Sequence, residues 1–233
     1  MSEKVLVPSI EKRMSALLEV SRRNLKGYSA SGTDKAKPAI TISREFGCEG
    51  FPVAEELKTL LEEKTGEAWG VMDKALLEEV AKNHHLSEDI FRHLGEKHRF
   101  LDDMLSTLTS RWHSDKDYFK LLSKQIVALA TGGNVIIVGR GSSILAQEMK
   151  NCYHFRIIAP LEFKARTIAR RLSLPAVEAE ELVQKKQKQR DAFVRDFLDR
   201  DIADPTLYHL LFNNGKNPAD RIAATIFTYV TTA

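Results

Sequence analysis

Short apolar runs bounded by turn residues recur along the chain, and longer segments between them carry apolar residues every three or four positions. The runs predict buried strands at residues 40–43, 69–72, 135–138, 155–159 and 208–212. The segments between them predict helices, such as the one that follows Pro52. Strands that alternate with helices favour a three-layer α/β fold built on a mostly parallel, five-stranded sheet.

Two regions fall outside this alternation. Residues 1–37 predict an N-terminal amphipathic helix at 9–26 and a small, polar linker, ahead of a domain at 38–233. The helix either packs on the domain or a second subunit, as in a homodimer, or docks a partner. Residues 84–131 predict a mainly helical insert, and residues 172–201 predict a charged helical segment.

Composition narrows the class of protein. The 233 residues are 43% hydrophobic and 29% charged, as in a soluble globular protein, and no apolar run is long enough to span a membrane. A net charge of +3 is too small to imply a nucleic acid polymer, and it favours a local basic pocket for small anions. Cys48 and Cys152 have no metal-type spacing, and the histidines form no ligand pattern, so we expect no protein-held metal and a cytoplasmic location.

A glycine turn follows the first predicted strand. Gly47 and Gly50 interrupt the apolar pattern, and Pro52 fits the first turn of the next helix. Strand, glycine turn and helix in this order can direct backbone N–H groups and a helix N-terminus at a phosphate. The pattern G-x-x-x-x-G-K-[ST] is absent, because Phe51 follows Gly50. An ordinary strand–turn–helix unit is therefore the alternative interpretation.

Two further strand ends carry candidate site residues. Arg140 stands between Gly139 and Gly141, so the backbone can approach a ligand closely while the guanidinium grips a phosphate. A structural salt bridge is the alternative role for Arg140. Asp73 ends the second predicted strand, where α/β folds place their sites, although it can also cap the following helix.

Several ordered segments resemble the cytidylate kinase-like family, a branch of the P-loop nucleoside monophosphate kinases. The segments are ITISREFGCEG, VMDKALLEEVAK, NVIIVGRGSSIL and IIAPLEFKARTIARR, and the resemblance runs from Pro38 to the C-terminus. It implies a P-loop NTPase-like fold with a helical acceptor insert and a lid at 172–201. It also implies nucleotide ligands, with ATP as phosphate donor, Mg²⁺ bridging the donor phosphates, and a CMP-like acceptor.

The resemblance also assigns residues to roles. Donor contacts fall on the loop that comprises Ser43, Arg44, Glu45, Phe46, Gly47, Cys48, Glu49 and Gly50. Acceptor contacts fall on Asp73, Lys74, Gly139 and Arg140. Catalytic contacts to the transferring phosphoryl group fall on Arg170, just before the lid, and on the lid residues Lys188, Arg190 and Arg195.

The chain also departs from the family pattern. Cys48 and Glu49 replace a Ser-Gly pair, Phe51 replaces a basic residue, and Gln187 replaces an acid. The resemblance offers Arg44 as a partial substitute for the P-loop Lys and Ser43 as an outer-shell Mg²⁺ contact. A carboxylate at Glu49 would repel a triphosphate unless it is neutralised. Two hypotheses follow: a phosphotransferase, or a catalytically inactive nucleotide- or anion-binding module that senses or docks.

Overall fold

The computed structural model describes residues 37–82 and 115–232. The predicted N-terminal helix, its linker and most of the helical insert lie outside these residues, so docking or homodimerisation through the N-terminus stays a prediction. Within the described part no helix is both long and apolar enough to cross a membrane.

Five strands form one sheet in which every neighbouring pair is parallel, in the order β2-β3-β1-β4-β5. The strands are β1 (Ala39–Arg44), β2 (Gly70–Met72), β3 (Val135–Val138), β4 (Cys152–Ile158) and β5 (Leu210–Asn213). The helices are α1 (Gly50–Thr65), α2 (Lys74–Lys82), α3 (Asp115–Gly132), the single turn α4 (Ser142–Leu145), α5 (Leu161–Leu172), α6 (Ala176–Leu198) and α7 (Ala219–Thr232). The α/β prediction is confirmed, and the sheet is wholly parallel.

Some predicted boundaries were wrong. β4 begins three residues before the predicted start, because Cys152 already pairs with Ala39 of β1. β5 begins at Leu210, because a 3₁₀ turn at Pro205–Leu207 occupies the preceding residues. The helix expected after Gly141 is only the single turn α4, which ends at Leu145.

The sheet is buried on both faces, which gives the three layers. On one face α1 and α7 cover a cluster that includes Ile40, Ile42 and Phe155. On the other face α3 and α6 cover a cluster that includes Ile137 and Leu122. This double burial explains why the central strands are near-continuous apolar runs.

One face of β1 and β4 carries buried polar side chains within this apolar setting. Thr41 Oγ1 lies 2.8 Å from His154 Nδ1, and the next pair toward the strand ends is Ser43 with Arg156. The His154 backbone N–H donates to His209 Nδ1 at 2.9 Å. Burial, with a smaller contribution from His209, lowers the pKa of His154 to about 4.

His154 should make stability depend on pH. Its pKa is about 4 in the fold and about 6.5 when unfolded, so the unfolded chain binds the proton first as pH falls. The His154 contribution is therefore fully present above pH ~6.5 and is lost between there and pH ~4, up to roughly 3 kcal/mol. Urea unfolding across this range should show that slope in the wild type and a much weaker one in His154→Gln. His209→Asn is the control and should keep most of the slope, since burial is the larger cause. An equal slope in His154→Gln would contradict the assignment.

Candidate functional site

The loop between β1 and α1 lies at the carboxyl end of the central strand. Gly47 has φ +96°, and a Cβ there would lie 2.7 Å from Lys164 Cβ at the start of α5. Lys164 Nζ donates to Glu45 Oε2 at 2.6 Å, and the same oxygen accepts the Ala159 N–H at 3.3 Å. The loop is thus fastened to the β4–α5 connection, and the close approach requires glycine at position 47.

Side chains from distant elements occupy two backbone N–H groups of this loop. The Phe46 N–H donates to Gln187 Oε1 of α6 at 2.9 Å. The Glu49 N–H donates to Asn214 Oδ1 at 2.9 Å, and Asn214 Nδ2 donates back to Glu49 Oε2 at 3.2 Å. Because Asn214 is only 2% exposed, this reciprocal pair is a buried link between the loop and the end of β5. Two donors that could face a phosphate are therefore already satisfied.

Three arginines converge on a cavity of about 410 Å³ beside the loop. Arg44 ends β1, Arg140 follows β3, and Arg190 comes from α6. Arg190 Nη1 donates to the Arg44 carbonyl at 3.2 Å, and its guanidinium lies 5.0 Å from the Phe46 ring centroid. The remaining lining includes Lys74 and Lys186, and among the described residues that line the cavity there is no Asp or Glu.

The crowding of like charges is visible in the pKa values. Burial, followed by the charge of Arg190 and more weakly that of Arg140, lowers the pKa of Arg44 to about 9, although Asp73 opposes the shift. Burial also lowers the pKa of Arg190. Desolvated cations beside one another raise the local positive potential, which an anion in the cavity would relieve.

Arg140 is held in an unusual conformation. It adopts φ +58°, donates to the Glu78 carboxylate of α2, and lies 5.4 Å from the Phe193 ring centroid. A side chain at Gly139 would overlap the Arg44 guanidinium. Arg140 therefore forms a salt bridge, which was its alternative role, and it also lines the cavity.

A second cavity of about 420 Å³ borders the loop at Glu49. It lies between α5 and the turn after β5. Its lining is Glu49, Phe163, Arg166, Thr167, Arg170 and residues 214–218. The loop therefore contributes Phe46 to one cavity and Glu49 to the other.

Comparison with known proteins identifies the family that has this architecture. The model of the cytidylate kinase-like family matches residues 39–216. The chain belongs to the cytidylate kinase-like family. No curated protein matches the chain.

Solved structures resemble this family member in fold. An uncharacterized protein from Eubacterium ventriosum superposes with a TM-score of 0.67 at 22% identity, covering 84% of this chain and 99% of that one. The shikimate kinase from Bacteroides thetaiotaomicron gives a TM-score of 0.47 at 11% identity, covering 83% and 98%. At the identity of the first, the likeness concerns the fold alone. The domain has the α/β fold of a cytidylate kinase-like protein.

The family-implied residues separate into groups in space. Of the family-implied residues, those that line the first cavity are Ser43, Arg44, Phe46, Lys74, Gly139, Arg140 and Arg190. Glu49 and Arg170 line the second cavity. Asp73 Oδ1 accepts the Leu76 N–H at 3.0 Å, so the capping role proposed for Asp73 is present. Cys48 is buried in the loop, and burial raises the pKa of its thiol to about 12.

Two of the residues predicted for the lid lie outside both cavities. Lys188 and Arg195 are exposed and do not line either cavity, and Arg195 Nε lies 3.9 Å from its neighbour Asp196. Helical geometry explains this, because positions two before and five after Arg190 face away from it. Their catalytic roles stay predictions.

Sequence reasoning missed several lining residues that the same rule could have found. Lys186, Phe193 and Val194 stand three or four positions from Arg190 and share its side of α6. Ser142 and Ser143 follow the Gly-Arg-Gly segment directly and are buried in the cavity wall. The sequence around Asn214 indicates only a turn, because Glu49, the hydrogen-bond partner of Asn214, lies far away in the chain.

Replacement of Gly47 tests the packing of the loop. Gly47→Ala should destabilise by about 2 kcal/mol or more, because positive φ and contact with the Lys164 backbone act together. Gly66→Ala is the matched control, with φ +68° and no atom within 4 Å of the added Cβ, and it should cost about 1 kcal/mol. Urea unfolding measures both. Equal losses would show that Lys164 does not constrain the loop.

Proposed function

We propose that this chain is a phosphotransferase that moves the γ-phosphate of ATP to a CMP-like nucleoside monophosphate. The observation that carries the proposal is the convergence of Arg44, Arg140 and Arg190 on one cavity beside the glycine loop, where the part of the chain that the structure describes contributes no lining carboxylate. Such a site suits phosphoryl transfer, which depends mainly on positioning and on stabilising charge on phosphoryl oxygens.

The acceptor phosphate would bind at Arg140. Its Nε is buried and has no acceptor within the described residues, while Glu78 accepts from Nη2. Glu78 therefore orients the group and leaves a donor for a ligand oxygen. A guanidinium fixed in this way loses little entropy when it grips a phosphate.

The donor would occupy the second cavity and reach the loop from the side of Glu49. Arg166, Arg170 and Lys216 provide positive charge around this cavity. With donor and acceptor in cavities that border the same loop, Arg190 can contact the phosphoryl group between them. That arrangement supports in-line transfer with the reactants held close together.

The described residues do not fit a protein-held Mg²⁺. Among them no group of three or more His, Cys, Asp or Glu side chains could bind a metal. Ser43 Oγ, the offered outer-shell contact, accepts a hydrogen bond from the Arg156 guanidinium at 3.0 Å, and a cation there disfavours a second one. No step is therefore assigned to a protein-bound metal. The buried, unpaired Cys48 and Cys152 support the expected cytoplasmic location as part of this proposal.

Removal of the cavity arginines should abolish turnover. Calorimetric titration of ATP with Mg²⁺ and of CMP, then ADP release on the same sample, should show binding of both and ADP only when CMP is present. Arg140→Ala should weaken CMP binding at least tenfold, and Arg190→Ala should lower kcat by about 100-fold or more. Arg221→Ala, an exposed change on α7, is the control for charge. Full activity of both cavity variants would refute the proposal.

A second candidate function is a nucleotide or anion sensor without turnover. The observation that favours it is the occupation of the Phe46 and Glu49 N–H groups by Gln187 and Asn214, together with the Glu49 carboxylate in the loop. A triphosphate would have to displace both side chains and accommodate a negative charge. This candidate predicts that CMP or another anion binds at the arginine cavity and that no ADP forms.

Gln187→Ala tests whether the occupied loop limits ATP binding. The change frees the Phe46 N–H, so ATP should bind about fivefold more tightly, the equivalent of roughly 1 kcal/mol for one hydrogen bond. Gln184→Ala, an exposed change on the same helix, should leave affinity unchanged. Titration calorimetry measures both. Unchanged or weaker binding by Gln187→Ala would show that Gln187 does not compete with ATP.

A further inference from the structure

Arg156 is a buried cation that lies directly behind the arginine cavity. It is 3% exposed on β4, and its Nη1 donates to Ser43 Oγ at 3.0 Å. Its guanidinium also lies 5.6 Å from the Tyr208 ring centroid, and Tyr208 Oη donates to the Ile202 carbonyl at 2.8 Å. The strand pattern shows Arg156 only as a polar residue in an apolar run.

Within the described residues, Arg156 differs from two other cations near the site, Lys164 and Arg140. Lys164 pairs with Glu45, and Arg140 pairs with Glu78, whereas no carboxylate of the described residues forms an ion pair with Arg156. Its partners are one hydroxyl oxygen and one aromatic face. These compensate a buried guanidinium only in part, because burial of a charge costs most when no opposite charge accompanies it.

The contact with Arg156 also determines what the Ser43 hydroxyl can do. A hydroxyl has one proton to donate and lone pairs to accept with. Because Arg156 has only donors, Ser43 Oγ must accept from it, and the Ser43 proton remains available for another acceptor. Ser43 lines the cavity, and the charged residues that line it within the described part of the chain are all cations.

We infer that Arg156 is a positioning residue that commits the Ser43 hydroxyl to donate to an oxyanion in the arginine cavity. The charge of that anion in turn balances the buried guanidinium. The ligand class is a fully ionised tetrahedral oxyanion, such as a phosphate monoester. Sulfate should bind comparably, because the charged side chains that line the cavity within residues 37–82 and 115–232 are all hydrogen-bond donors, which a fully ionised oxyanion can satisfy. The inference rests on the proposed role of the cavity in binding phosphate, and it applies equally to the kinase and the sensor.

A purely structural role for Arg156 makes a different prediction. As a link between β1, β4 and Tyr208, the side chain would stabilise the fold whether or not an anion is present. If Arg156 instead serves to bind a ligand, its charge should add nothing to the stability of the fold, or should reduce it, when no anion is bound. A well-packed apolar replacement of similar volume removes the desolvation penalty of the charge. The two roles therefore differ in the dependence of stability on the anion.

The test measures thermal unfolding and anion binding in Arg156→Met, Arg156→Lys and Ser43→Ala. Each variant is unfolded in sodium chloride and in sodium phosphate or sulfate at matched ionic strength, and phosphate and CMP affinities are measured by calorimetry. In chloride, Arg156→Met should unfold at or above the wild-type temperature. Its stabilisation by phosphate should largely disappear, and its affinity for CMP should fall about tenfold or more.

Two further variants guard against misfolding of Arg156→Met. Arg156→Lys should restore part of the affinity, because the charge and a donor remain. Ser43→Ala should weaken binding to a similar extent, and the double variant should be little worse than either single one, since both act through one hydroxyl.

Three results would overturn the inference, and they can be told apart. A Tm for Arg156→Met that falls equally in chloride and in phosphate would assign Arg156 a structural role. Additive losses in the double variant would show that Arg156 does not act through Ser43. If the wild type binds neither phosphate, sulfate nor CMP, the proposed function of the cavity fails as well.

Discussion

The central position of β1 in a wholly parallel sheet is the constraint on which the rest of the structure depends. Because β3 and β4 flank it on opposite sides, the connections that leave their carboxyl ends surround the loop after β1. This topology creates a crevice at one edge of the sheet, where α/β proteins bind their ligands. Arg44, Arg140, the glycine loop and the turn after β5 meet there because their strands end there, and α6 adds Arg190.

Charge is distributed unevenly around this crevice. Acidic groups lie behind the cations or in the loop, as Glu78 and Glu45 do, while the charged side chains that line the first cavity within the described residues are all cations. Cations that are desolvated without close counter-charges raise the energy of the unliganded site. An oxyanion that enters the site lowers this energy, and the difference favours ligand binding.

The sequence predicts the sheet well because the central strands are buried on both faces and are therefore mostly apolar. It also points to Arg140, which lies on the cavity wall and whose role in binding stays a prediction. The links that close the loop could not be predicted, because Gln187 and Asn214 are ordinary polar residues whose partners lie far away in the chain. Arg195 is exposed on a different face of α6 from Arg190, as their five-residue spacing implies, and its catalytic role stays a prediction.

The packing of Arg44 against Gly139 makes the tolerance of one position depend on the residue at another. Glycine is required at 139 for two separate reasons, a φ of +83° and the guanidinium that would overlap any side chain. A smaller residue at 44 would remove the second reason and leave only backbone strain. Replacements at these two positions are therefore epistatic, and a lineage that lost the arginine first would be freer to lose the glycine later.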